Sequence, residues 1–160
     1  MVELSLVGVR VELPSNQPIV LLREREGRRR YLPIWIGSNE ATAIAFALQG
    51  VQTARPMTHD LLKNLLEEIG TVVERILITE LKDGIFYAMI QMVQAGARHE
   101  VSSRPSDAIA LAVRSSIPIF ASEEVLAEAS IDMPDEEEQA VEEFREFLEH
   151  VSPEDFEGSD

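Results

Sequence analysis

Residues 72–114 read VVERILITELKDGIFYAMIQMVQAGARHEVSSRPSDAIALAVR, and the order of patterns in this stretch decides the fold. Val72 to Leu81 is β-branched and partly alternating, the period-two signature of a strand. Asp83-Gly84 is a strong two-residue hairpin turn, and Ile85 to Val93 is the return strand. Gln94 to Ala97 is a second loop carrying a glycine, Arg98 to Ser103 a third strand, and Pro105 to Arg114 a helix opened by proline. The unit is strand, strand, strand, helix.

Working outward, the same order is read in the N-terminal part. Val2 to Leu13 is a strand, Pro14 to Pro18 a turn, Ile19 to Arg23 the return strand, Tyr31 to Ile36 a third strand and Ser38 to Leu48 a helix stopped by Gly50. A shift of 67 residues aligns the two stretches without a gap: Val9 and Val11 fall on Ile76 and Ile78, and Asn16-Gln17 on Asp83-Gly84. Glu40-Ala41-Thr42-Ala43-Ile44-Ala45 falls on Asp107-Ala108-Ile109-Ala110-Leu111-Ala112. The expectation is an α+β domain in which a duplicated β-β-β-α unit, about 2–50 and 71–115, forms a mainly antiparallel sheet packed with helices. A linking helix over 58–69 joins the units, with Thr58 as its N-cap and Leu61, Leu62, Leu65, Leu66 and Ile69 as its apolar stripe. Beyond it, 117–120 adds a short edge strand, Ser122 caps a helix through Ala129, and Asp135 to about His150 forms an amphipathic helix.

At 160 residues and 45% apolar, the chain is one domain with a core of its own. It has no cysteine, hence no disulfide and no thiolate metal site. The opening MVELSLVGVRVEL lacks a basic region followed by a long apolar run, so no signal peptide is expected. No stretch nears the roughly 18 apolar residues of a membrane span. A cytoplasmic protein with no membrane partner is expected. The net charge of −15 is uneven: residues 123–160 hold 16 acids against Arg145 alone, while residues 1–122 hold 13 acids and 13 bases. Residues 130–160 are therefore set apart as an acidic tail, either a solubilising segment or a nucleic-acid mimic lying in a basic groove.

Two segments carry polar chemistry that packing does not require. In Arg55-Pro56-Met57-Thr58-His59-Asp60, Asp60 suits the positive end of a helix dipole, whereas imidazolium does not; a neutral His59 there is fit to act as base or ligand. In Ser103-Arg104-Pro105-Ser106-Asp107, proline holds Arg104 extended at a cap position and puts Asp107 at the third helical residue, where Glu40 stands in the first unit. Both acids are read either as plain helix-start carboxylates or as ligands for a divalent metal. The metal would face a phosphate bound by Arg104, Ser106 and the free N–H groups. The basic run Arg28-Arg29-Arg30, with Arg23 and Arg25, is interleaved with Glu24 and Glu26 and reads as a solvated loop. Trp35 reads as core or as a contact between subunits rather than as a base-stacking platform. There is no Walker loop, GxGxxG or GxSxG, and His59, His99 and His150 do not have zinc spacing.

Four blocks in order, Tyr31 to Gly37 with Glu40-Ala41, Arg55 to Leu61, Asp83 to Ala88 and Ser103 to Ala110, resemble the bifunctional nuclease domain family, over about 2–129. The resemblance implies an α+β fold, self-association as a dimer or larger homo-oligomer, and activity on RNA and DNA. The polar positions inside the blocks are then the candidates. His59, Asp60 and Asp107 are assigned to catalysis, Arg55, Thr58, Arg104 and Ser106 to substrate, and Glu40 and Asp107 to Mg²⁺ or Mn²⁺. A non-enzymatic ligand-binding or regulatory module and a purely structural oligomer stand as alternatives.

Overall fold

The computed structural model describes residues 1–12 and 14–133. In chain order the elements are β1 (Val2–Glu12), β2 (Gln17–Glu24), β3 (Tyr31–Trp35), α1 (Ser38–Gln49), α2 (Thr58–Glu68), β4 (Thr71–Lys82), β5 (Ile85–Gln94), β6 (Ala97–Ser103), α3 (Pro105–Ser115), β7 (Ile119–Ala121) and α4 (Glu123–Ala129). The seven strands form one sheet in the order β3-β2-β1-β7-β4-β5-β6. All neighbours are antiparallel except β4 and β7. The fold is α+β as expected.

Turn chemistry fixes the register. Asp83 and Gly84 both have positive φ, 52° and 76°, the conformation of a type I′ turn, whose twist matches that of the strands it joins. Ala95 and Gly96 do the same between β5 and β6, so the loop expected over 94–97 is a tight two-residue turn. Ile76, Ile78, Ala88 and Ile90 then share a face and enter the core with Val20, Leu22, Leu32 and Ile34 of the other half. Burying aliphatic side chains at about 1.5–3 kcal/mol each drives this assembly.

The helices complete the core. Ala41, Ala43 and Ile44 of α1 and Ala108, Ala110 and Ala112 of α3 are buried, and the two helices pack on one another. Small side chains at the contact let helix axes approach closely. That approach brings the starts of α1 and α3 together, which positions everything described below.

Several expectations are corrected. The strand near 117–120 is not an edge but the centre of the sheet, because β7 pairs Val2 to Leu4 on one side and Ile76 to Ile78 on the other. Met57, not Thr58, occupies the N-cap of α2; its extended backbone lets its N–H donate to Asp60 Oδ2 at 3.0 Å. Only Leu62 and Leu66 of the leucine stripe pack on the core, whereas Leu61, Leu65 and Ile69 stand exposed. Arg30 is not in solvent: it is buried, donates to both Glu24 oxygens at 2.8 and 3.0 Å, and reaches Glu123 on α4 at 3.0 Å. Those bonds hold the Glu24 carboxyl below its ordinary range, the Arg30 hydrogen bond being the chief cause. Trp35 is not core; as the last residue of edge strand β3 it is 51% exposed. The acidic tail beyond residue 133 and the helix expected over 135–150 lie outside the described residues. Among the described residues no helix is long and apolar enough to cross a membrane.

Candidate active site

Glu40 and Asp107 are each the third residue of their helix, and both sit where α1 and α3 begin. Arg104 is the N-cap of α3, with an extended backbone (φ −68°, ψ 142°), as the proline after it requires. Its NH2 donates to Glu40 Oε1 at 2.6 Å and lies 2.8 Å from Asp107 Oδ2, while its Nε donates to the same Asp107 oxygen at 2.9 Å. The two carboxylates push the guanidinium's pKa up, Glu40 contributing most. The Arg104 side chain is nevertheless 65% exposed.

The other Asp107 oxygen, Oδ1, lies 3.0 Å from His59 Nε2 at the start of α2. With the ring proton on Nε2, His59 donates to the carboxylate. His59 is 10% exposed at its side chain against 31% for Asp107, so the imidazole stands behind the carboxylate rather than beside it in solvent. The Glu40 carboxylate lies close over Gly37, and a methyl group on that glycine would collide with Glu40 Oε2. Three segments remote in sequence thus converge as Glu40–Arg104–Asp107–His59.

The remaining candidates lie elsewhere. The Asp60 carboxylate turns away to Arg114, whose Nε donates to it at 2.7 Å. Arg114 also donates to the Ala110 and Ala43 carbonyls, so it ties α2, α3 and α1 together. Arg114 and then the Met57 N–H hold the Asp60 carboxyl below its ordinary range. Arg55 and Thr58 are exposed, and no hydrogen bond among the described residues draws their side chains to the cluster. Ser106 is buried at the second position of α3 and lines a pocket of about 390 Å³ that opens beside Arg104. Reading by motif missed that pocket and Arg114, since neither has a local spacing; Trp35 at the pocket wall was the visible signal.

Glu40 and Asp107 supply hard oxygen donors of the kind Mg²⁺ uses, and two carboxylates suffice where substrate oxygens and water complete its shell. Among the described residues no group of three or more His, Asp and Glu side chains gathers as a metal site.

A model of the bifunctional nuclease domain matches residues 20–134. The chain belongs to the bifunctional nuclease domain family. All of the cluster lies within the matched span. An uncharacterised protein of Mycobacterium tuberculosis is 47% identical over 96% of the chain and 97% of its own length. Bifunctional nuclease 1 of Arabidopsis thaliana is 30% identical, and bifunctional nuclease 2 of Oryza sativa 29%. The Arabidopsis match covers 66% of this chain but 33% of the plant protein, and the rice match 70% and 35%. The bifunctional nuclease domain is thus shared with proteins about three times as long as the stretch they have in common.

Proposed function

We propose that this bifunctional nuclease domain hydrolyses phosphodiester bonds in RNA and DNA at the Glu40–Arg104–Asp107–His59 cluster. The observation that carries the reading is the exposed Arg104 guanidinium, held between two carboxylates and free on its outer side to meet an anionic oxygen. A guanidinium offers five donors in a planar fork that matches a phosphate. Arg104 clamps the scissile phosphate and offsets the charge that builds on its oxygens as water attacks phosphorus. Asp107, the more exposed acid of the Asp107–His59 pair, orients that water and accepts its proton as the P–O bond breaks. The leaving oxygen is protonated from solvent. His59 acts through Asp107 as a positioning residue, and Asp60 serves the fold through Arg114. Glu40 and Asp107 would hold Mg²⁺ or Mn²⁺ beside the guanidinium, through lone pairs that Arg104 and His59 leave open, and the metal would supply further neutralisation of phosphate charge.

Names of the plant relatives support the reaction class. The test is cleavage of single-stranded RNA and DNA by purified protein with added Mg²⁺ or Mn²⁺. Asp107→Asn should abolish cutting without changing the circular dichroism, and EDTA should suppress it. Undiminished cutting by Asp107→Asn would move the activity to another site or to a contaminant.

One observation favours self-association alongside this. Leu61 and Leu65 on α2 and Ile69 at its C-cap recur every four residues and are each more than half exposed. A second copy is the occupant proposed for this stripe; sedimentation of Leu65→Glu as a smaller species than the parent would support it.

A further inference from the structure

The pocket beside Arg104 has walls from both halves of the chain. Gln17 and Ile34 to Gly37 come from one half, and Gly84 to Phe86 and Arg104 to Ser106 from the other. At about 390 Å³ it lies within the ~300–1,000 Å³ range of small-molecule sites. Among the described residues its lining is chiefly apolar, and the cation in it, Arg104, is the residue assigned above to the phosphate. Trp35 and Ile85 both line it, and each has more than half of its surface exposed. A large exposed aromatic face beside a guanidinium is the pairing that holds an unpaired base and its phosphate.

Charge separates this from binding along a duplex backbone. Gripping a duplex by its phosphates takes many cations, and affinity scales with their number. Residues 1–122 have as many acids as bases. Arg104 itself is flanked by Glu40 and Asp107, so a phosphate there gains one guanidinium and meets two carboxylates. The two carboxylates reduce the net attraction of this position for a phosphate, so contact with the apolar recess adds to what Arg104 supplies. A base locked in a helix presents only its edge and cannot lay a face on Trp35. Gln17, Arg104 and Ser106 are the polar side chains of the lining, too few to read four base edges.

We propose that this pocket is a base-stacking subsite in which Trp35 holds one unpaired nucleobase of a single-stranded nucleic acid while Arg104 takes the adjoining phosphate. The inference rests on the nuclease reading for the phosphate position and adds the substrate class.

Trp35 is the single tryptophan of the chain, so emission excited at the tryptophan edge reports this site alone. The experiment titrates the full chain with a phosphorothioate oligothymidylate, an abasic oligomer of equal length and a duplex. Expected are saturable quenching by oligothymidylate and binding about tenfold or more tighter than for the abasic strand and the duplex. Trp35→Leu should lose that factor and Trp35→Phe should keep most of it, both followed by anisotropy of a labelled strand, with folding checked by circular dichroism. Equal affinity for abasic and base-bearing strands overturns the subsite. So does unchanged emission at saturation, or a blue shift that grows with protein concentration alone, which would mean a second copy covers Trp35. If base-dependent binding is found and nothing is cut, the subsite stands and the nuclease reading falls. If cutting is lost in Asp107→Asn while abasic strands bind equally well, the nuclease reading stands and the subsite falls. Failure to bind any strand overturns both.

Discussion

Arg30 and Arg104 are built alike and placed differently. Each guanidinium bridges one carboxylate nearby in sequence and one brought from afar: Glu24 and Glu123 for Arg30, Asp107 and Glu40 for Arg104. The Arg30 side chain is 8% exposed and that of Arg104 65%. Arg30 has no approach left for a ligand and serves to fasten α4 to the β2–β3 hairpin. Arg104 keeps an open side, so its ion pairs hold a cation in position without consuming it. Burial, more than the pairing itself, separates a fastening from a candidate site.

Substitutions that sever one cluster or the other can break this comparison. The largest effect is expected from Arg30→Met, which strands a buried Glu24 carboxylate and should cost about 3–5 kcal/mol in denaturant unfolding. A loss under about 1 kcal/mol, the range of surface pairs, would make the two clusters equivalent. Arg104→Ala should leave unfolding within about 1 kcal/mol of the parent and cut the rate on single-stranded RNA by about 10²–10³. If stability falls instead and the rate holds, the site and the fastening exchange roles. His59→Asn, which unsettles Asp107 from behind, should lower kcat by about tenfold to a hundredfold with KM little changed. A rise in KM alone would mean that His59 touches substrate.

Smaller effects sharpen the picture. Gly37→Ala crowds the Glu40 carboxylate and should loosen Arg104, lowering the rate less than Arg104→Ala does, with the melting temperature nearly unmoved. A rate equal to the parent's would show that Glu40 has room to settle elsewhere. Acid titration addresses Glu24 and Asp60, whose folded carboxyls are both held low by arginine partners. Their contribution is present above the unfolded values of about 4 and is lost as pH falls through the depressed folded ones. Thermal melts should therefore be flat for these groups from about pH 5 to 7 and fall below about pH 4. Asp60→Asn should make that fall shallower; an unchanged slope would remove Asp60 from the account.

Most of the fold was legible because it rests on local patterns. Asp83-Gly84 fixed a hairpin, and Pro105 after Arg104 fixed a helix start, each through backbone geometry of one or two residues. The acids at equal helix positions, Glu40 and Asp107, were legible as a pair for the same reason. What was not legible depended on distant partners. Arg30 is surrounded by charge in sequence, and only Glu123, 93 residues on, with Glu24 makes its burial affordable. The stripe Leu61, Leu65 and Ile69 carries the same helical period as a core face, and no sequence rule separates it from Leu62 and Leu66. His59 was visible as an oddity at a helix start, but its place behind Asp107 follows from the packing of α2 on α3.

The three residues of β7 have a consequence for any shortened form of the polypeptide. Among the described residues they alone join the inner strands β1 and β4 in the sheet, and they come after the other six strands in the chain. A chain cut short before Ile119 would lack the strand that joins β1–β2–β3 to β4–β5–β6, leaving β1 and β4 each with an unpaired inner edge of the kind that recruits foreign strands. Closing the sheet requires Ile119, Phe120 and Ala121 between β1 and β4, so a chain truncated just before them should aggregate more readily than the full one.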